Sequence, residues 1–298
     1  MRLLIVLLMC GLAAPTVCAY AAETDWQAVN GVLGRKPAMV AADVHRYGFA
    51  RTDLNVTLDG VTIKPALALS GWVAFKDMHD EVMAMGDLVL LETEINPVMA
   101  KMIASGIQIT AIHNHLLRAN PATFYMHISG HGDAITVATA LRDALATSNT
   151  PLEPAAASNP PPPIDLDTAQ LDQIISAKGH ANGGVYQFGI PRRDLITMDG
   201  MRLTPAGPLG VATSIGFQPT GSGRAAITGD FVMVSSEVNP VIKLLREGGI
   251  EVTALHSHML DEQPRLFFMH FWANDDATKL ARTLRAALDQ MANIKSGL

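Results

Sequence analysis

The sequence predicts an α+β fold made of two homologous tandem domains. Each is a helix-packed mixed or antiparallel sheet with a strand–helix–strand–strand–helix core. Three observations predict it: an internal repeat at a fixed spacing, a proline-rich stretch between the copies, and hydrophobic patterning that switches between period two and helical spacing inside each copy. With 298 residues, 49% hydrophobic and 17% charged, the chain has material for two cores of ordinary size.

The first element is an export leader over residues 1–21. Arg2 precedes the apolar run Leu3 to Met9, and small residues lead to Ala19-Tyr20-Ala21, an A-x-A-like cleavage site. The run is shorter than the roughly 20 residues a membrane-spanning helix needs. The expectation is therefore an exported, periplasmic protein with no transmembrane segment in the mature chain. Lipid attachment is disfavoured, because Pro15-Thr16-Val17 puts no small residue before Cys18. Cys10 and Cys18 both lie in the leader, so the mature chain has no disulfide and no cysteine ligand. Loss of Arg2 takes the formal charge from −6 to −7. No Lys/Arg block suggests a nucleic-acid partner.

The repeat is ungapped from Gly86 to Ala134, with every pair 143 positions apart and about 20 of 49 positions identical. Gly86-Asp87 returns as Gly229-Asp230, Glu94 as Glu237, Asn96-Pro97 as Asn239-Pro240, His113-Asn114-His115 as His256-Ser257-His258, and Met126-His127 as Met269-His270. Weaker matches extend upstream, such as Tyr47-Gly48 against Phe188-Gly189. The domains are therefore read as residues 22–148 and 166–298, joined by a semi-rigid proline-rich linker over 149–165.

Within the first copy, Asp87 to Leu91 is a short apolar strand. Asn96-Pro97 reads as a helix start, with Asn as N-cap and Pro at the first helical position. Val98, Met99, Met102 and Ile103 continue the helix, and Gly106 closes it. Ile107 to Leu116 and Thr123 to Ser129 read as a hairpin around the turn Arg118 to Pro121. Asp133 caps a last helix through Leu145, with Ile135, Ala138, Leu141 and Leu145 on one face. The part before this core adds a helix and two or three strands.

Side chains alternate along a strand, so His113 and His115 share a face over the small Ala111. In the expected register His127 stands opposite His113, within one step. The second copy repeats this with His256, His258 and His270 over Ala254. Three imidazoles and an open position are a common ligand set for catalytic zinc, and imidazole also suits copper. Glu94 and Glu237 are candidates for a fourth ligand or a general base. The expected function is thus binding of a divalent metal, zinc or copper, at one three-histidine site per repeat. Two alternatives are a metal-dependent enzyme with Glu94 or Glu237 as base, and a module binding a small cell-envelope ligand with the histidines as structural groups. His45, His79, His131 and His180 are read as surface or copy-specific. G-x-S-x-G, P-loop, G-x-G-x-x-G and H-E-x-x-H signatures are absent, so no nucleotide or organic cofactor is indicated.

The strings Thr110 to Leu117 and Thr253 to Leu260, with Pro121 to His127 and Pro264 to His270, resemble the LppY/LpqO family of bacterial exported proteins and lipoproteins, a domain of unknown function. The resemblance implies a bacterial, extracytoplasmic protein and no established activity.

Overall fold

The computed structural model describes residues 23–78, 80–154 and 163–293. The leader expected over 1–21, His79 and most of the proline-rich linker lie outside the described residues.

The first repeat runs α1 (Trp26–Leu33), β1 (Met39–Ala41), β2 (Val44–Ala50), β3 (Thr57–Leu58), β4 (Val61–Thr62), α2 (Pro65–Ala68), β5 (Ser70–Asp77), β6 (Val82–Leu91), α3 (Glu92–Ala104), β7 (Gln108–His113), β8 (Thr123–Gly132) and α4 (Ala134–Leu145). The second runs α5 (Thr168–Ile175), β9 (His180–Asn182), β10 (Val185–Pro191), β11 (Thr197–Met198), β12 (Met201–Arg202), β13 (Ala212–Gly221), β14 (Arg224–Met233), α6 (Ser235–Glu247), β15 (Glu251–His256), β16 (Phe267–Asp276) and α7 (Ala277–Leu288). Each repeat builds one six-stranded antiparallel sheet. Their orders correspond: β1-β2-β5-β6-β8-β7 and β9-β10-β13-β14-β16-β15.

The central strands are buried on both faces, which explains their nearly continuous apolar runs. Along β6, Val82, Ala84, Leu88 and Leu90 point to the core shared with α1, α3 and α4. Met83, Met85 and Val89 point the other way. That other face meets the second repeat: Ala74, Met83 and Met85 pack with Val232, Met259 and Phe268, while Val89 and Tyr125 pack with Ala226 and Trp272. The sheet faces opposite α1, α3 and α4 and their second-repeat counterparts therefore turn toward each other, with those helices on the outside and the one-turn α2 lodged in the junction, where Leu67 packs with Val185, Ala226 and Trp272. Lys64 N–H donates to Gln218 Oε1 at 2.9 Å, Gln218 Nε2 donates to the Thr62 carbonyl at 2.8 Å, and Trp272 Nε1 donates to Asp59 Oδ2 at 3.0 Å across this junction.

Three local expectations change. The helix expected with Asn96 as N-cap begins five residues earlier, with Leu91 as N-cap and Glu92 as its first residue, and Pro97 lies inside it. Glu94 makes this early start favourable, because its carboxylate accepts the Leu91 N–H at 2.8 Å near the positive end of the helix. The hairpin register slips: His127 pairs with Ala111 and His113 with Tyr125, after an irregularity at Thr110. Thr253 does the same in the second copy. Ile135 is exposed, and Ala134, Val137, Ala138 and Leu141 form the buried face of α4. Asp133 and Asp276 are N-caps, accepting the N–H groups of Thr136 and Lys279.

Candidate metal centre

The strands that face across the junction carry the histidines. His127 and His270 stand on β8 and β16, beside Asp87 on β6 and Asp230 on β14 in direct cross-strand register. His113 and His256 end β7 and β15, and His115 and His258 lie just beyond those strand ends. Gly86 and Gly229 let the neighbouring strand come close: a Cβ on Gly229 would lie 2.0 Å from the Ser214 carbonyl oxygen.

The two expected three-histidine sites are not separate. All six rings meet in one cluster between the sheets, in three stacks that each cross the repeat boundary. His113 lies over His256 with centroids 3.5 Å apart, His115 over His270 at 3.5 Å, and His127 over His258 at 3.6 Å. Tyr125 covers the outer face of His115 at 3.3 Å, and Phe268 covers that of His258 at 3.5 Å. The 143-residue shift exchanges the two outer stacks and maps the central one onto itself. This is the self-complementary arrangement of a two-fold interface, here within one chain.

Within each repeat the rings are farther apart. His113 and His127 have centroids 5.0 Å apart, as do His256 and His270. Donor nitrogens mutually within 4.8 Å form two sets: His113, His115 and His127, and His113, His256, His258 and His270. His270 Nδ1 is 2.8 Å from the Gly229 carbonyl oxygen. A carbonyl only accepts, so Nδ1 carries the proton and the Nε2 lone pair points into the cluster.

Burial, together with neighbouring imidazoles for most of the rings, holds them neutral. It lowers the His113 pKa to about 3 and that of His256 to about 4, and places His115, His127, His258 and His270 well below the usual histidine range. Desolvation acts oppositely on the carboxyls, raising Asp87 to about 7 and Asp230 well above its ordinary value.

Eight ring nitrogens of these six histidines, with Asp87 Oδ1 and Asp230 Oδ1, are buried and lack a hydrogen-bond partner. Buried polar atoms without partners are rare, because each costs about 1–3 kcal/mol. So many in one place fit a site built to coordinate a cation, and neutral imidazole with carboxylate is the donor set of first-row divalent metals.

Glu94 and Glu237 lie outside the cluster. Glu94 Oε2 accepts from Arg51 Nη1 at 2.7 Å, and Oε1 accepts from the Asn149 N–H at 2.8 Å. Arg51 is fully buried and also binds Asp53 and the Val89 carbonyl. Glu237 repeats this with Arg192, Asp194 and the Ala292 N–H. Both glutamates tie a helix start to a buried arginine and have no lone pair free for a metal or a substrate. The sequence reading missed Asp87 and Asp230 as site residues. Their signal was an acidic residue, repeated at 143, at the inward-facing parity of an otherwise apolar strand.

His131, 3.7 Å from Asp199, and His180 on β9 are both exposed. His45 is copy-specific, with Tyr186 at its place in the second repeat, and it is not a surface group: its ring stacks on Trp26 at 3.7 Å with Nδ1 buried.

Comparison with known proteins gives one family. The chain is similar over 88% of its length to a trimeric bacterial microcompartment shell protein PduB, covering 97% of that chain, at 12% identity and a TM-score of 0.23. Over 86% of its length it is similar to EtuB from Clostridium kluyveri, covering 90% of that chain, at 8% identity and a TM-score of 0.20. At those values neither likeness bears on this chain's fold or function. No curated protein matches. The family profile that matches is described as Domain of Unknown Function (DUF1259), over residues 27–147 and again over 169–290. It corrects the LppY/LpqO resemblance, which leaned on short histidine strings where the profile spans two stretches of about 120 positions. The chain belongs to the Domain of Unknown Function (DUF1259) family, and carries that domain twice.

Proposed function

We propose that this protein binds a divalent first-row transition metal, zinc or copper, at a composite centre made jointly by its two repeats. The observation that carries the reading is the set of ten buried, partnerless nitrogen and oxygen atoms of His113, His115, His127, His256, His258, His270, Asp87 and Asp230, of which eight, one per residue, can coordinate a cation. The rings are neutral at physiological pH, so their lone pairs are available without loss of a proton. Histidine and carboxylate suit a compartment where thiol ligands would oxidise. The sequence of residues 1–21 supports export to such a compartment. Among the described residues no helix is long and apolar enough to cross a membrane.

Retention of metal is favoured over metal-assisted catalysis. Glu94 and Glu237, the bases a catalytic reading needs, are engaged by Arg51 and Arg192. Elemental analysis of the purified full chain, beside a His113→Ala/His256→Ala variant, tests the proposal. Stoichiometric metal in the wild type and its loss in the variant are expected. Equal, sub-stoichiometric metal in both would refute it.

A further inference from the structure

Six imidazoles in this arrangement do not fit one ion. Metal–nitrogen bonds to imidazole are about 2.0–2.1 Å, so any two donors to one ion lie within about 4.2 Å of each other. The donor nitrogens instead divide into the two overlapping sets, three from the first repeat and four centred on the second, sharing only His113. Each set adjoins its own buried carboxylate. Asp87 Oδ1 is 3.7 Å from His127 Nε2. Asp230 Oδ1 is 3.9 Å from His270 Nε2, and its Oδ2 is 3.8 Å from His258 Nε2. These separations are too long for hydrogen bonds. They are shorter than the sum of one metal–nitrogen and one metal–oxygen bond, about 4.0–4.3 Å.

The geometry points to two metal ions per chain, each completed by an aspartate: Asp87 beside His115 and His127, and Asp230 beside His256, His258 and His270, with His113 within reach of both. This rests on the metal-binding reading above and adds the ion count and the carboxylate ligands.

The two positions are not equivalent. Asp230 lies against two imidazoles. Asp87 instead feels the positive charge of Arg46, whose guanidinium stacks on Trp72 at 3.8 Å. Trp72 is the cross-strand partner of Asp87. The position corresponding to Arg46 in the second repeat is Gln187, whose amide donates to the Ala66 carbonyl. A cation near Asp87 disfavours a second cation there. The Asp230 position therefore fills first and the Asp87 position second, more weakly.

The test is titration of the chelator-stripped full chain with Co²⁺, followed by visible absorption and calorimetry, with far-UV circular dichroism to confirm that each variant is folded. Two ions per chain in two resolved steps are expected. Asp230→Asn should weaken the first step and Asp87→Asn the second, each at least about tenfold. Arg46→Gln, which touches no donor atom, should tighten the second step by about tenfold. A single ion per chain would overturn the two-ion assignment while leaving the metal-binding reading standing. Asp87→Asn and Asp230→Asn both titrating as wild type would overturn the aspartate ligands. Binding of no ion would overturn both readings.

Discussion

Take the metal-free protein, held in a chelator, as the pH falls from 7.0 to 5.5. In the unfolded chain the six cluster histidines titrate near 6.5 and become mostly protonated over this interval. In the folded chain they stay neutral, because burial has pushed their pKa values far lower. The unfolded state then binds more protons, so stability is lost as the pH falls through the unfolded value. Each histidine contributes about 1.2 kcal/mol of loss over this interval, and six contribute about 7 kcal/mol. The aspartates act oppositely. Their folded pKa values are raised, so the folded state takes up protons and gains stability as the pH falls. Asp87 returns about 1.6 kcal/mol and Asp230 at most about 2 kcal/mol. The net loss is about 4 kcal/mol, a large fraction of the stability of an ordinary domain. Urea denaturation in a chelator at the two pH values measures it directly. Unchanged stability between pH 7.0 and 5.5 would refute the description of the cluster as buried and neutral.

Four further outcomes follow. Arg51→Met should destabilise the protein by about 3–5 kcal/mol, since it leaves Glu94 buried without its cation, and Arg192→Met should do the same for Glu237. Neither change should alter metal stoichiometry, which separates these glutamates from the centre. Zinc at about 100 times its dissociation constant should stabilise the wild type by about 2.7 kcal/mol in the same assay, and Glu94→Gln should not abolish that gain. His113→Ala should lower affinity more than His115→Ala, because His113 belongs to both donor sets; competition with a chromophoric chelator reads the difference.

Much of this architecture was legible because the duplication is ungapped through the core of each copy. The 143-residue spacing marks the two copies, and the alternation around His113 and His127 gives the hairpin and the shared face. The register was not legible, because the irregularities at Thr110 and Thr253 leave no mark in the hydrophobic pattern. The helix start at Glu92 was hidden by Asn96-Pro97, a strong local signal overridden by Glu94 reaching Arg51 from 43 residues away. The single composite centre was hidden for a deeper reason. Periodicity states which face of a strand is apolar, but not what that face packs against. Met83, Met85 and Val89 read as one more core face, when they meet the other repeat. Asp87 carries its meaning only in that context, at the middle of a junction where it lies 3.7 Å from the His127 ring and feels the charge of Arg46.

The central claim is that both repeats build one metal centre between them. Anomalous diffraction from crystals of the zinc-loaded full chain, collected above and below the zinc edge, tests it most directly. The account predicts anomalous density between the two sheets, bounded by His113, His115 and His127 on one side and His256, His258 and His270 on the other. Density elsewhere on the molecule, with none between those histidines, would contradict it.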